Sequence, residues 1–406
     1  MVDDFAWCAA SPRMSAMPSP RVIEPLVVPA GRRAPEVLPA LRKALDGDGP
    51  ALLPVAEGSE PVRALGPGAA LGPGEDTAGD PTALVIATSG STGVPKGVLL
   101  PASALRASAE ATHLRLGGPG HWLLPMPAHH IAGIQVLVRA LLAGTTPVAV
   151  DTAGGFRPDR FADAAAETLA NDGPHYTSMV PTQLSRLVND GGQGLAALRR
   201  FDAVLLGGAA TPPALLRRAL DAGVRVVPTY GMSETAGGCV YDGVPLDGVR
   251  VHIDAGGVVS LAGPTLARGY RGVPGSPAFA GGWFRTGDLG RWAGDRLEIL
   301  GRADDVIITG GVNVAPTPIE RILTEHEGVR EVCVLGVEDP EWGQAVVAAV
   351  VPSDPACPPS AEALRAAVRE RAQPAAAPKN IVFLPELPLR GPGKPDRTAL
   401  RQHFAG

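Results

Sequence analysis

The chain has 406 residues, 36 Lys and Arg against 41 Asp and Glu, a net charge of −5 and 45% apolar residues. Domains of ~100–200 residues predict two to four units, and the acidic balance argues against a nucleic-acid or polybasic membrane partner. The dispersed cysteines (Cys8, Cys239, Cys333, Cys357) exclude a zinc ribbon or a disulfide scaffold, and no uncharged apolar run reaches the ~18 residues of a membrane span.

That cysteine usage suits a reducing cytoplasm. The opening residues, with Asp3 and Asp4 and no basic or apolar stretch, do not read as a signal peptide. Residues 1–80 are rich in Pro, Gly and Ala and hold few clear elements. Within them 40–45 reads as a helix and 64–79 as a loop or linker. From 81 onward strands and helices alternate. Strands are expected over 83–87, 147–151, 176–180, 203–206 and 224–228. Helices are expected over 102–115, 134–143, 160–171, 182–189 and 212–222. This alternation predicts an α/β fold with a mostly parallel sheet covered by helices and ligands beyond the strand carboxyl ends. After 229, short strands at 249–253 and 258–261 between Gly-rich turns predict a small antiparallel or barrel-like subdomain. An α+β unit follows, with helices over 319–325, 361–371 and 398–404 and strands over 332–337, 345–351 and 381–384.

The sharpest local feature is Thr88-Ser89-Gly90-Ser91-Thr92-Gly93-Val94-Pro95-Lys96-Gly97, directly after the apolar run 83–87. Its glycines let backbone N–H groups approach an anion, its hydroxyls add donors, and Lys96 adds mobile positive charge. The chain favours Arg so strongly that its only lysines are Lys43, Lys96, Lys379 and Lys394, so a loop lysine hints at specific chemistry. The string is not the P-loop of NTPases, which needs Gly-Lys followed by Ser or Thr.

It resembles instead the phosphate loop of the acyl-adenylate-forming superfamily, which holds acyl- and aryl-CoA synthetases, luciferases and nonribosomal-peptide adenylation domains. Further motifs of that family appear in order. Tyr230-Gly231-Met232-Ser233-Glu234-Thr235 resembles its Tyr-Gly-x-Thr-Glu segment, with Ser233 in place of Thr. Gly207-Gly208-Ala209 resembles the loop bordering adenine and the acyl pocket. Thr286-Gly287-Asp288, Gly301-Arg302-Ala303-Asp304-Asp305 with Gly310-Gly311, and Gly393-Lys394-Pro395-Asp396-Arg397 match its remaining motifs.

The resemblance implies ATP, Mg²⁺ and coenzyme A as ligands, and attack of a carboxylate on the α-phosphate of ATP. Such chemistry is mostly positioning and charge neutralisation. In that scheme Thr88, Ser89, Gly90, Ser91, Thr92, Gly93 and Lys96 cradle the phosphates. Glu234 holds the metal, beside Ser233. Asp288 takes the ribose hydroxyls, Arg302 adds a contact to ribose or phosphate, and Tyr230, with Gly231 and Met232, lies along the adenine. Gly208 and Ala209 border the nucleotide, and Gly207 and Gly208 the acyl group. Lys394 bridges carboxylate and α-phosphate. Asp304 is the hinge on which a small mobile α+β C-terminal domain (304–406) turns against a large N-terminal domain (1–303). That turn brings Gly310 and Gly311 to a pantetheine channel.

Pro125-Met126-Pro127-Ala128-His129-His130-Ile131-Ala132-Gly133 matches the segment bordering the acyl pocket, with His130 toward the acid. The compact chain and this segment resemble actinobacterial o-succinylbenzoate–CoA ligases of menaquinone biosynthesis, which implies 2-succinylbenzoate as the acid and its CoA thioester, AMP and pyrophosphate as products. Alternatives are another aryl- or acyl-CoA ligase, or a stand-alone adenylation domain serving a carrier protein. The amine-binding Asp of amino-acid-activating members has no counterpart in 125–133, and no carrier-type Gly-Gly-Asp-Ser follows. The expected partners are small molecules, with no nucleic acid or membrane, and a homodimer is left open.

Overall fold

The computed structural model describes residues 21–88, 95–389 and 395–404. Its first sheet has the order β1-β2-β3-β4-β14. Strands β1 (Ile23–Val28), β2 (Ala51–Ala56) and β3 (Thr82–Thr88) are parallel. β4 (Lys96–Pro101) and the two-residue β14 (Gly269–Tyr270) join them antiparallel. Residues 1–80, expected to hold few elements, thus supply two strands as well as the helix α1 (Leu38–Asp46). The segment 64–79 is not a linker: Leu65, Leu71 and Glu75 are buried in it.

The second sheet has the order β11-β10-β9-β8-β7-β5-β6. Its parallel part is β5 (His121–Leu124), β6 (Val148–Ala149), β7 (His175–Met179), β8 (Ala203–Leu206) and β9 (Val226–Met232). β10 (Gly237–Tyr241) and β11 (Val244–Pro245) finish it antiparallel. Successive residues of a strand point to opposite faces, and the two faces here go to different cores. Trp122, Leu124, Ala203 and Leu205 pack toward α1, α2 (Ala102–Leu116) and α3 (Ile131–Leu142). Leu123, Val204 and Leu206 pack toward α4 (Pro158–Thr168), α5 (Pro181–Asp190), α6 (Gln193–Leu198) and α7 (Pro213–Asp221). Covering both faces removes the polar alternation of an exposed sheet, which is why these strands read as short apolar runs. Part of the chain's proline is spent at helix starts. Pro158, Pro181 and Pro213 each open a helix, where no N–H partner is needed and φ is already set.

The antiparallel subdomain is an open sheet rather than a closed barrel. β12 (Arg250–Ile253), β13 (Val258–Ala262), β16 (Trp283–Ala293) and β15 (Phe279–Ala280) lie in that order, and β17 (Arg296–Arg302) also pairs with β16. Last comes an α+β unit. β18 (Ile307–Thr309), β19 (Val312–Val314), β20 (Val329–Asp339), β21 (Gly343–Pro352) and β22 (Asn380–Phe383) form its sheet. α8 (Pro316–Thr324), α9 (Ala361–Arg371) and α10 (Arg397–Gln402) are its helices. Its buried residues form two clusters, both drawn wholly from 307 onward. No helix among the described residues is long and apolar enough to cross a membrane.

Candidate active site

The Ser/Thr/Gly string joins β3 to β4. Thr88 and Lys96 are cross-strand partners, and Thr88 Oγ1 donates to the Lys96 carbonyl at 3.3 Å. The chain therefore leaves one buried strand and returns on its neighbour, whereas an NTPase P-loop opens a helix. Ser89, Gly90, Ser91, Thr92 and Gly93, and Lys394 at the other end of the chain, lie outside the described residues.

Two of the motif glycines owe their identity to packing. A Cβ on Gly207, just beyond β8, would stand 2.4 Å from Thr229 Oγ1, and one on Gly231 would stand 2.1 Å from the Gly237 carbonyl. Both positions let the strand end lie flush against its neighbour. Gly208 has φ +83°, in the left-handed region, and Ala209 follows it on the same loop.

Tyr230, near the end of β9, donates its hydroxyl to Asp288 Oδ2 at 2.7 Å. Asp288 is paired across β16 and β17 with Arg302, whose Nη1 stands 3.5 Å from Oδ1 and whose Nη2 donates to Asp304 at 3.1 Å. Below this, the Asp288 N–H donates to Thr286 Oγ1, and the Thr286 hydroxyl donates to the Val259 carbonyl. Burial, and then the Asp288 carboxylate, push the Tyr230 phenol pKa up, so it stays a donor. A buried carboxylate with two oxygens fixed in direction suits a vicinal diol.

Glu234 lies four residues after Tyr230, on the 3₁₀ turn Ser233–Thr235. Its Oε1 accepts the Tyr270 hydroxyl at 2.8 Å. Ala236, the next residue after the turn, has φ +50°, a conformation a non-glycine residue keeps only when its surroundings hold it. Here its carbonyl accepts bonds from Ser108 Oγ on α2 and Gln135 Nε2 on α3. The inter-sheet helices thus brace the turn that carries Ser233 and Glu234. Among the described residues no three His, Cys, Asp or Glu side chains gather as a metal cage. A single carboxylate fits Mg²⁺, which keeps waters and substrate phosphates as its other ligands.

His130 caps the start of α3, where its carbonyl accepts from Gly133 and Ile134, and its ring lies 4.1 Å from that of His129. Burial pushes the His129 pKa down and keeps that neighbour neutral. Gly133 is fixed by a close approach, since a Cβ there would stand 2.3 Å from the Pro127 carbonyl.

In the last unit the hinge motif forms a 3₁₀ turn at Ala303–Asp305. Arg397, the last residue of the lysine motif, stands 3.3 Å from both Asp305 and Glu320. Asp396 caps α10 by accepting from Thr398 and Ala399, and Leu389 bridges Pro395 across the intervening residues. The stem of the lysine loop is therefore tied to the hinge motif. Gly310 and Gly311 turn between β18 and β19 with φ +56° and +78°, and Trp342 covers Gly310.

The fold thus gathers Tyr230, Asp288, Arg302 and Asp304 into one hydrogen-bonded chain. It brings Lys96, the cross-strand partner of Thr88, and Glu234 to one tyrosine, Tyr270, whose hydroxyl donates to Glu234 and over whose ring Lys96 Nζ stands at 5.1 Å. Gly310 and Gly311 stand apart, in the last unit. Sequence reasoning missed Tyr270 and Gln135. The scarcity that singled out the lysines also applies to tyrosine: of four in the chain, two donate to site carboxylates.

Two family models match the chain: AMP-binding enzyme over residues 33–271, and AMP-binding enzyme C-terminal domain over 318–394. The chain belongs to the AMP-binding enzyme family. A Mycobacterium tuberculosis H37Rv protein described as a probable 2-succinylbenzoate–CoA ligase is 49% identical over 385 residues, covering 94% of this chain and 98% of that protein. A Geobacillus kaustophilus 2-succinylbenzoate–CoA ligase is 35% identical over 346 residues, 79% of this chain and 69% of that one. The fold also matches the Bacillus subtilis o-succinylbenzoate CoA synthetase in complex with its acyl-adenylate, with TM-score 0.72, 24% identity and coverage of 94% and 88%.

Proposed function

We propose that the chain is an acid–thiol ligase that joins 2-succinylbenzoate to CoA through an acyl-adenylate, in the cytoplasmic synthesis of menaquinone. In the first half-reaction a carboxylate oxygen of the acid bonds to the α-phosphorus of ATP, and the bond to pyrophosphate breaks. In the second the CoA sulfur bonds to the acyl carbon, the thiol proton passes to solvent, and AMP leaves. Asp288 exchanges its Tyr230 and Arg302 contacts for the ribose hydroxyls. The β3–β4 loop, from Thr88 to Lys96, binds the phosphates, and Glu234 holds Mg²⁺. Bound there, Mg²⁺ neutralises phosphate charge. His130, Gly207 and Gly208 border the acid. Lys394 bridges carboxylate and phosphate in the first step. The unit from 304 then turns at Asp304 to bring Gly310 and Gly311 to the pantetheine arm.

The observation that carries the substrate is the 49% identity along 98% of the M. tuberculosis protein. The test is pyrophosphate release with a panel of acids, with and without CoA. Release with 2-succinylbenzoate and a CoA thioester as product is expected. Release with amino acids and no thioester would overturn the reading in favour of an adenylation domain serving a carrier.

A further inference from the structure

Tyr270 touches both charged residues that the proposed function places at the triphosphate. Its hydroxyl donates to Glu234 Oε1 at 2.8 Å, and Lys96 Nζ stands 5.1 Å from its ring centroid. The backbone around it is stitched to both sides. Ala267 N–H donates to the Glu234 carbonyl at 2.8 Å, Arg268 N–H to Leu99 and Arg271 N–H to Gly97 on the strand that begins with Lys96. Phe279 packs edge-on against the ring at 5.4 Å.

A lysine on a flexible stem and a carboxylate that share one neighbour attract each other. If they paired, Glu234 would be lost to a metal and Lys96 to a phosphate. Among the described residues they form no ion pair, and each instead meets the tyrosine, the ammonium at its ring and the carboxylate at its hydroxyl. Lys96 is instead drawn to the ring face, and the hydroxyl fixes one carboxylate oxygen, Oε1, while no hydrogen bond to Oε2 is found among the described residues.

We infer that Tyr270 is a positioning residue that holds Glu234 and Lys96 apart and directs each to the opposite charge, the carboxylate to the divalent cation of the nucleotide and the ammonium to its phosphates. The inference rests on the function proposed above and assigns a role to a residue outside every motif that suggested it.

The test is the free Mg²⁺ dependence of acid-dependent ATP–pyrophosphate exchange by the full chain. Tyr270→Phe removes one oxygen and keeps the ring. A charge-assisted hydrogen bond of this kind corresponds to a roughly tenfold rise in half-saturating Mg²⁺, with the KM for ATP at saturating Mg²⁺ little changed. Tyr270→Leu removes the spacer as well, so the KM for ATP rises too. Adding Lys96→Met to Tyr270→Leu is expected to lower the Mg²⁺ requirement again, a reversal of sign that general loosening of the fold does not produce. Wild-type Mg²⁺ dependence in Tyr270→Phe, or no recovery in the double variant, overturns the inference. If Tyr270→Leu fails to fold, Tyr270→Phe decides alone. Glu234→Gln, run in parallel, separates the two levels. If it abolishes the Mg²⁺ response while Tyr270→Phe is silent, only the tyrosine role falls. If it changes nothing, the metal role of Glu234 falls and the spacer with it. If wild type exchanges with no acid, the same Mg²⁺ shifts are read by calorimetric binding of ATP.

Discussion

At the scale of single residues, the candidate site carries two carboxylates, each held by a phenol from a distant stretch of chain. Asp288 is 58 positions from Tyr230, and Glu234 is 36 from Tyr270. The carboxylates were legible in the sequence, because their motifs are local strings. Their phenol partners were not, because the bonds join segments that only the folded sheets bring together. On the proposed role of Asp288, Asp288→Ala should remove the ribose contacts and raise the KM for ATP roughly tenfold or more, as loss of hydrogen bonds to a charged group does; initial rates against ATP concentration read it. Lys394→Ala should lose ~10²–10³-fold in adenylate formation, the scale on which a charge-stabilising donor acts. Thioester formation from preformed adenylate should suffer far less. Equal losses in both half-reactions would contradict the bridging role.

At the scale of elements, the helix-covered parallel sheet was legible because both its faces are buried and its strands are apolar runs. β1 and β2 were not, because Pro25 and Pro54 lie inside them and proline argues against a strand. β1 tolerates its proline as an edge strand, and β2 meets β3 only at Leu52 and Leu84. β4 was hidden by its opening Lys-Gly. Gly231 shows how an element constrains a motif. Gly231→Ala should cost about 1–3 kcal/mol, since the clash is with backbone that cannot swing away; urea unfolding measures it. The α2–α3 pair carries a second prediction. His113 is buried against Trp122, over whose ring Arg139 also lies, and burial, then Arg139, push its pKa down to about 4 from an ordinary value of 6.5. The unfolded chain takes up that proton first as the pH falls, so stability drops between about pH 7 and pH 4. The loss by pH 5 is about 2 kcal/mol. His113→Asn, which does not titrate, should flatten the difference between unfolding curves at pH 7 and pH 5. An unchanged difference would show that His113 is not held neutral.

At the scale of the whole molecule, the cores divide the chain more clearly than the linker composition did. Core residues of the first three sheets end at Leu297, and those of the last unit begin at Ile307, with the Ala303–Asp305 turn between them. The two parts touch through Arg321 on α8, which bonds Glu298 and the Ile299 carbonyl of β17. Contacts centred on one helix beside a short turn support the rotating joint proposed above. Asp304→Pro, which fixes φ at that joint, should block thioester formation while sparing adenylate formation. Unchanged overall turnover would count against the hinge.

The central claim is that the acid is activated as an adenylate before it meets CoA. The most direct measurement uses 2-succinylbenzoate labelled with oxygen-18 in its carboxyl groups, with ATP, Mg²⁺ and CoA, and mass analysis of the released nucleotide and pyrophosphate. The account predicts AMP carrying one heavy oxygen, and unlabelled pyrophosphate. Unlabelled AMP, or label in pyrophosphate, would contradict it.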